Sequence, residues 1–252
     1  FASKFFRMPL IIYENNLVLG RANKILLAIS KKLLLGIKTP INLPEKYKKK
    51  TFYVGNILRE EIINHSSPEK NYNDKNFSLL VLGGSQGAEV FGEIVPSVVK
   101  MIKDEGYEIE INQQCIEKQK NIITSFYNKH KIKNNIFDFT DNILNLILSA
   151  DLAISRSGGS TTAELVQTLT PFIAVPLPQS MDNHQYLNAK YYKDKGCCWL
   201  IEQKNLTIIK LFNLIMKIMK DKQKLKNIRE KMKKNDSRDV YVKVEESIRE
   251  LI

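Results

Sequence analysis

Short apolar runs alternate with longer amphipathic stretches along most of the chain, and this alternation constrains the fold more than any other feature. PLIIY (9–13), FYV (52–54), FSLLVL (77–82), YEIEI (107–111), DLAIS (151–155) and FIAV (172–175) read as strands. Residues 21–34, 87–103, 117–130, 141–149, 160–168 and 183–194 read as helices. In the second of these, Val90, Ile94, Val98 and Met101 or Ile102 recur at helical spacing, and Pro96 is expected to kink or divide the helix. Strands of this length separated by helices imply βαβ units on a parallel sheet, an α/β fold. The polar stretch 64–76 is the candidate linker or surface loop. Beyond residue 205 the chain turns helical and lysine-rich, and 236–252 has the spacing of one last amphipathic helix.

The 252 residues suit one large or two medium domains. Cys115, Cys197 and Cys198 cannot make a disulfide framework, and with His65, His130 and His184 they show no metal-ligand spacing. No apolar run approaches the ~20 residues needed to span a bilayer, and the start lacks the pattern of a secretion signal. Net charge is +12, concentrated in residues 1–50 and 204–234. Such a surface suits a polyanion, either nucleic acid or an anionic membrane face, or is a set of solvated lysine faces. No aromatic-interleaved basic motif is present, which argues against nucleic acid.

Three loops carry chemistry. FSLLVLGGSQG runs a fully apolar strand into Gly83, Gly84, Ser85, Gln86 and Gly87, a turn that lets backbone approach a phosphate and offers the Ser85 hydroxyl. It is neither GxxxxGK[ST] nor GxGxxG, and a plain tight turn is the competing reading. DLAISRSGGSTTAEL places Ser160, Thr161 and Thr162 as caps of the next helix and Glu164 in its first turn. Glu164 is either a dipole-favoured carboxylate or an acceptor for the vicinal hydroxyls of a ribose. PLPQSMDNHQ gathers Asp182, Asn183, His184 and Gln185 at a helix start, a cluster for a polyhydroxylated ligand or simple capping by Asp182. His184 is either structural or a base.

GGSQGA, SRSGGSTTAE and PLPQSMDNHQ, in this order and spacing, closely resemble the MurG family of bacterial glycosyltransferases. IIYENNLVLGRANK (11–24) is similar to that family's [HY]EQN-x-x-x-G segment and VGNILREE (54–61) to its GNPVR, with Asn15 and Ile57 as departures. The resemblance implies two Rossmann-like domains of the GT-B type, the N-terminal one only partly present. Residues 1–58 would belong to that acceptor-facing and membrane-facing domain, 59–235 to the UDP-GlcNAc-binding domain, and 236–252 to a closing helix. It implies transfer of N-acetylglucosamine from UDP-GlcNAc to the 4-hydroxyl of undecaprenyl-diphospho-muramyl-pentapeptide in peptidoglycan synthesis, inverting, with no metal and no cofactor.

Site roles follow from the same resemblance. Ser85 and Arg59 would neutralise the diphosphate, and Thr140 would meet the uracil through its backbone. Gly159, Ser160 and Thr161 would donate to sugar and phosphate, Glu164 would hold the ribose diol, and Gln185 with Asn16 the GlcNAc hydroxyls. The family's glycine-rich loop and general-base histidine have no counterpart here, so the chain alone is expected to be inactive, its base lying upstream of Phe1. A peripheral position on the cytoplasmic face of the inner membrane is implied, with Lys24, Lys31 and Lys32 flanking ILLAIS and LLLG as a basic-apolar helix for an anionic leaflet or a domain-packing helix. A 2-epimerase or a glycolipid glycosyltransferase could share the donor loops, and a non-catalytic nucleotide-sugar-binding remnant is the alternative of another class.

Overall fold

The apolar runs assemble into two parallel sheets. The computed structural model describes residues 2–38, 40–65, 69–70, 72, 76–84, 88–235 and 238–251. After a short helix α1 (Ala2–Phe5), β1 (Ile11–Glu14), β2 (Lys32–Leu35) and β3 (Thr51–Tyr53) form a three-stranded sheet in chain order. The helix α2 (Arg21–Leu26) connects the first two strands, and α3 (Glu60–Ile63) leads away from the third. The second sheet contains β4 (Phe77–Leu82), β5 (Ile109–Gln114), β6 (Lys133–Phe137), β7 (Leu152–Ser155), β8 (Phe172–Ala174) and β9 (Cys198–Leu200), in the order β6-β5-β4-β7-β8-β9. All the paired strands are parallel, each pair joined by a crossover.

Helices cover both faces of the larger sheet, which is why FSLLVL is apolar at every position but Ser78 rather than alternating. Leu79 and Val81 of β4 pack with Phe91 and Val95 of α4 (Glu89–Asp104), Ile123 of α5 (Glu117–Lys129) and Ile215 of α9 (Ile208–Lys220). Leu80 and Leu82 face the opposite way, toward Ile147 of α6 (Ile143–Ser149), Leu165 of α7 (Gly159–Gln167), Ala189 of α8 (His184–Asp194) and Ile228 of α10 (Lys222–Lys233). Leu79, Leu80 and Val81 have no exposed surface, and burial of each contributes about 1.5–3 kcal/mol. The last helix, α11 (Val240–Arg249), lies against the smaller sheet: Val240 packs with Leu34, Val54 and Leu58, and the Tyr241 hydroxyl donates to the Leu58 carbonyl.

Several expectations need correction. Residues 21–34 are not one helix: α2 stops at Leu26, and Lys32–Leu35 is the central strand of the smaller sheet, buried at all four positions. The Lys32 ammonium pairs with Glu250 and lies over the Phe52 ring, so the basic-apolar helix for an anionic leaflet does not exist. Pro96 does not divide α4, which runs unbroken from Glu89 to Asp104. Complete burial of Phe91, Val95, Val98 and Val99 offsets the roughly 3 kcal/mol that an interior proline costs. The strand placed at 107–111 lies at Ile109–Gln114, and β6 and β9 arise where the sequence carries no strand signal. Residues 66–68, 71 and 73–75 of the polar stretch lie outside the described residues.

Candidate functional site

Strand order reverses between β4 and β7, so the chain departs in opposite directions from two neighbouring strands and opens a crevice beyond their carboxyl ends. The β4 turn presents Gly83, whose N–H donates to Gln114 Oε1 at 3.1 Å, and Gly84, held at φ +79° where a side chain would be strained. The β7 turn presents Arg156 and the start of α7. The smaller sheet contributes Asn15 and Asn16 from the end of β1, and the segment after β8 contributes Leu177, His184 and Gln185. Together with residues 158–161 these groups enclose a cavity of about 540 Å³.

The β1 wall is preorganised by two buried side chains. Glu14, 4% exposed, accepts from the backbone N–H groups of Asn16 (3.0 Å) and Gly20 (2.7 Å) and from the amides of Asn16 (2.9 Å) and Asn23 (3.0 Å). Four N–H donors thus solvate a carboxylate that has no cationic partner among the described residues. Asn188, fully buried in α8, accepts from the Leu17 N–H at 2.9 Å and donates to Asn16 Oδ1 (2.9 Å) and the Ser157 carbonyl (3.2 Å). The Asn16 amide also donates to Asn15 Oδ1 at 3.0 Å. Both Asn16 amide protons are therefore engaged, which leaves that side chain only acceptor capacity toward a ligand.

The opposite wall is the start of α7. Its N-cap is Gly158 in extended backbone with no side-chain cap, so Ser160, Thr161 and Thr162 do not cap the helix. Thr162 instead returns its hydroxyl to the Gly158 carbonyl at 2.8 Å, while Ser160 and Thr161 line the cavity. The two walls touch where Asn15 Nδ2 donates to Ser160 Oγ at 3.2 Å. A Cβ on Gly159 would stand 2.9 Å from the Asn15 amide and 3.0 Å from the Asn15 carbonyl, so glycine is what permits this approach. Uncapped N–H groups at the helix start and the adjacent glycine turn favour an anion between them.

Asp182 does not cap α8 either; the N-cap is Asn183, and both residues hold left-handed backbone at φ 51° and 55°. Aspartate and asparagine tolerate that conformation better than most residues. Asp182 pairs with Lys24 across the cleft at 3.3 Å. Gln185 Oε1 accepts the Leu177 N–H at 3.0 Å, which fixes the amide so that its NH₂ is left for a ligand.

Arg156 is the cavity residue that sequence reasoning passed over, although the signal was present: a cation directly after a strand and before Gly-Gly. Its Nη1 donates to the carbonyls of Val175 (3.1 Å) and Pro176 (3.3 Å) and its Nη2 to Gln203 Oε1 (2.7 Å), with the guanidinium 5.1 Å from the Phe91 ring centroid. Burial pulls its pKa below the ordinary arginine value, with no acid nearby to restore it.

Arg59, Glu164 and Thr140 are not among the residues that line this cavity. Glu164 falls in the second turn of α7, not the first, with Oε1 3.7 Å from Arg59 Nη2; Arg59 also pairs with Glu61 at 3.1 Å. Burial raises the Glu164 carboxyl above its usual value, and Arg59 partly offsets this. Thr140 accepts the Asn142 N–H at 3.1 Å in the turn after β6. Ser85 lies outside the described residues. Among the described residues no group of three or more His, Cys, Asp or Glu side chains is placed to hold a metal ion.

A parallel sheet whose strand order reverses beneath a glycine turn and a polar cavity defines a Rossmann-like α/β protein. Residues 78–244 match the glycosyltransferase family 28 C-terminal domain, and the chain belongs to that family. A UDP-N-acetylglucosamine–N-acetylmuramyl-(pentapeptide) pyrophosphoryl-undecaprenol N-acetylglucosamine transferase from Rickettsia canadensis is 38% identical over 221 residues, 87% of this chain and 62% of that protein. The protein of the same name from Pelagibacter ubique is 32% identical over 247 residues, 96% of this chain and 68% of its own length. The chain thus spans about three-fifths of the Rickettsia canadensis relative. Among solved structures, Acinetobacter baumannii MurG superposes with a TM-score of 0.76 at 23% identity over 96% of this chain and 69% of its own. A UDP complex of S. aureus MnaA gives 0.73 at 12% identity over 100% and 72%. These likenesses establish a MurG-like fold of the GT-B type.

Proposed function

We propose that this chain forms the UDP-GlcNAc-binding part of a glycosyltransferase that transfers N-acetylglucosamine to an undecaprenyl-diphospho-muramyl-pentapeptide. The observation that carries the reading is convergence: Asn16, Gly159, Ser160, Thr161 and Gln185, named from three separated segments of sequence, line one cavity at the strand-order reversal. A volume of about 540 Å³ falls within the ~300–1,000 Å³ usual for ligand sites. In this reading the diphosphate lies between Gly83–Gly84 and the start of α7, where fixed N–H groups stabilise charge on the departing UDP. By the resemblance, Ser85 and Arg59 would neutralise the diphosphate, Glu164 would take the ribose diol and Thr140 the uracil, although Arg59, Glu164 and Thr140 lie outside the cavity lining, and Gln185 with Asn16 would take the sugar. The acceptor would reach the cleft from the cytoplasmic face of the inner membrane. No helix among the described residues is long and apolar enough to cross a membrane.

Calorimetric titration with UDP-GlcNAc tests the donor site, with UDP-glucose and Glu164→Ala as controls. The expected result is binding that prefers UDP-GlcNAc and is lost in the variant. A folded chain that binds neither nucleotide sugar, or both equally, overturns the proposal.

A further inference from the structure

Resting on that donor-site reading, we propose that a second cavity, between the segment after β8 and the turn after β9, is the subsite for the carboxylate-bearing end of the acceptor's peptide. This cavity, of about 340 Å³, shares Leu177 with the first. Its place follows from the strand order. In a parallel sheet the carboxyl ends of the strands lie along one edge. From β4 through β7 and β8 to β9, that edge carries Gly83, then Arg156, then Leu177, then Glu202, Gln203 and Lys204. The donor reading puts the diphosphate at the first two of these stations and the sugar at the third, beside Gln185. The muramyl hydroxyl must meet the sugar there, and the peptide carried by the same muramyl unit then has the fourth station next to it.

The lining suits a peptide. Pro176, Leu177, Pro178 and the half-buried Tyr186 give an apolar wall for short alkyl side chains. Gln203 has its Oε1 held by Arg156 Nη2 at 2.7 Å, so its NH₂ is left to donate to a peptide carbonyl. The Asn183 side chain, like a peptide bond, both donates and accepts. Lys204 supplies the cation for a terminal carboxylate. Its ammonium lies 3.2 Å from Glu202, and an exposed pair of this kind is weak enough to be exchanged for a ligand. The same Glu202 carboxylate disfavours a phosphate dianion at this place, since it would set like charges side by side. The two cavities are also joined. Arg156 lines the first and holds Gln203 of the second, while Gln185 lines the first and accepts the N–H of the shared Leu177 at 3.0 Å.

The ¹⁵N-labelled chain is titrated with lipid-free muramyl pentapeptide, with N-acetylmuramic acid as the control that lacks the peptide, and separately with UDP-GlcNAc. The backbone amides of Leu177, Asn183, Tyr186, Gln203 and Lys204 are expected to shift with the pentapeptide and to stay in place with N-acetylmuramic acid. Lys204→Glu, a change at an exposed position, should weaken the pentapeptide roughly 3- to 10-fold while altering UDP-GlcNAc affinity less than about twofold. Stationary amides at these five residues up to about 10 mM pentapeptide, the same shifts with N-acetylmuramic acid, or undiminished pentapeptide affinity in Lys204→Glu overturns the inference alone. Failure of the unmodified chain to bind UDP-GlcNAc overturns the donor-site reading and this inference with it.

Discussion

Replacing Asn188 by alanine tests how the cleft walls are joined. The side chain is fully buried and ties together three segments distant in sequence, through Leu17, Asn16 and Ser157. In Asn188→Ala the Leu17 N–H, on a residue only 7% exposed, loses its acceptor, and an orphaned buried donor costs about 1–3 kcal/mol. The Ser157 carbonyl loses one partner and adds about 1 kcal/mol. Asn16 is partly exposed and can take water in exchange. The sum is a loss of about 2–4 kcal/mol. Asn188→Asp is nearly isosteric and keeps the acceptor for Leu17, yet turns an oxygen on Asn16 Oδ1 and the Ser157 carbonyl, both acceptors, so it should cost at least as much. Urea unfolding followed by circular dichroism and by the fluorescence of Trp199, the single tryptophan, measures both variants. A change below about 0.5 kcal/mol in Asn188→Ala with an unaltered m-value refutes the argument that these bonds hold the walls.

Two further perturbations follow from the site. Burial raises the folded pKa of Glu164, so its stability penalty is absent below the unfolded value of 4.5 and develops as pH rises through the folded one. Glu164→Gln should therefore raise the thermal midpoint at about pH 7, lose that advantage toward about pH 4, and weaken UDP-GlcNAc binding; a variant less stable at both pH values contradicts the sign. Gly159→Ala drives a Cβ against the Asn15 amide and carbonyl, whereas a Cβ at Gly158 meets nothing within 4 Å. Calorimetry should show donor affinity falling at least tenfold in Gly159→Ala and within about twofold of the parent in Gly158→Ala.

Where hydrophobicity and local geometry coincide, the sequence was a sufficient guide. FSLLVL is bounded by Asn76 and Gly83 and became β4 to the residue. KLLL looked like the end of a helix because the buried Lys32 has the long flexible side chain of a solvent-facing residue, and its partner Glu250 is 218 positions away. KNNIF is an edge strand with one ladder partner and a largely exposed face, so nothing in its composition required an apolar pattern. The site divided similarly. Glycines and hydroxyl residues at strand ends announced the cavity, but Arg156 was hidden by its neutral partners, since Val175, Pro176 and Gln203 bind it with oxygens that any residue or amide can offer. Whether Asn16 donates or accepts depended on Glu14, Asn15 and Asn188 jointly, a three-body condition no local pattern encodes.

The clasp of α11 on the smaller sheet has a consequence for synthesis. Leu34, Val54 and Leu58 emerge from the ribosome well before Val240 and Glu250, which cover and pair with that region. At roughly 5–20 residues per second, the interval between Lys32 and Glu250 is on the order of 10–45 s. Throughout it an apolar sheet with an unpaired lysine waits on the nascent chain, a surface that for that time is in need of a chaperone.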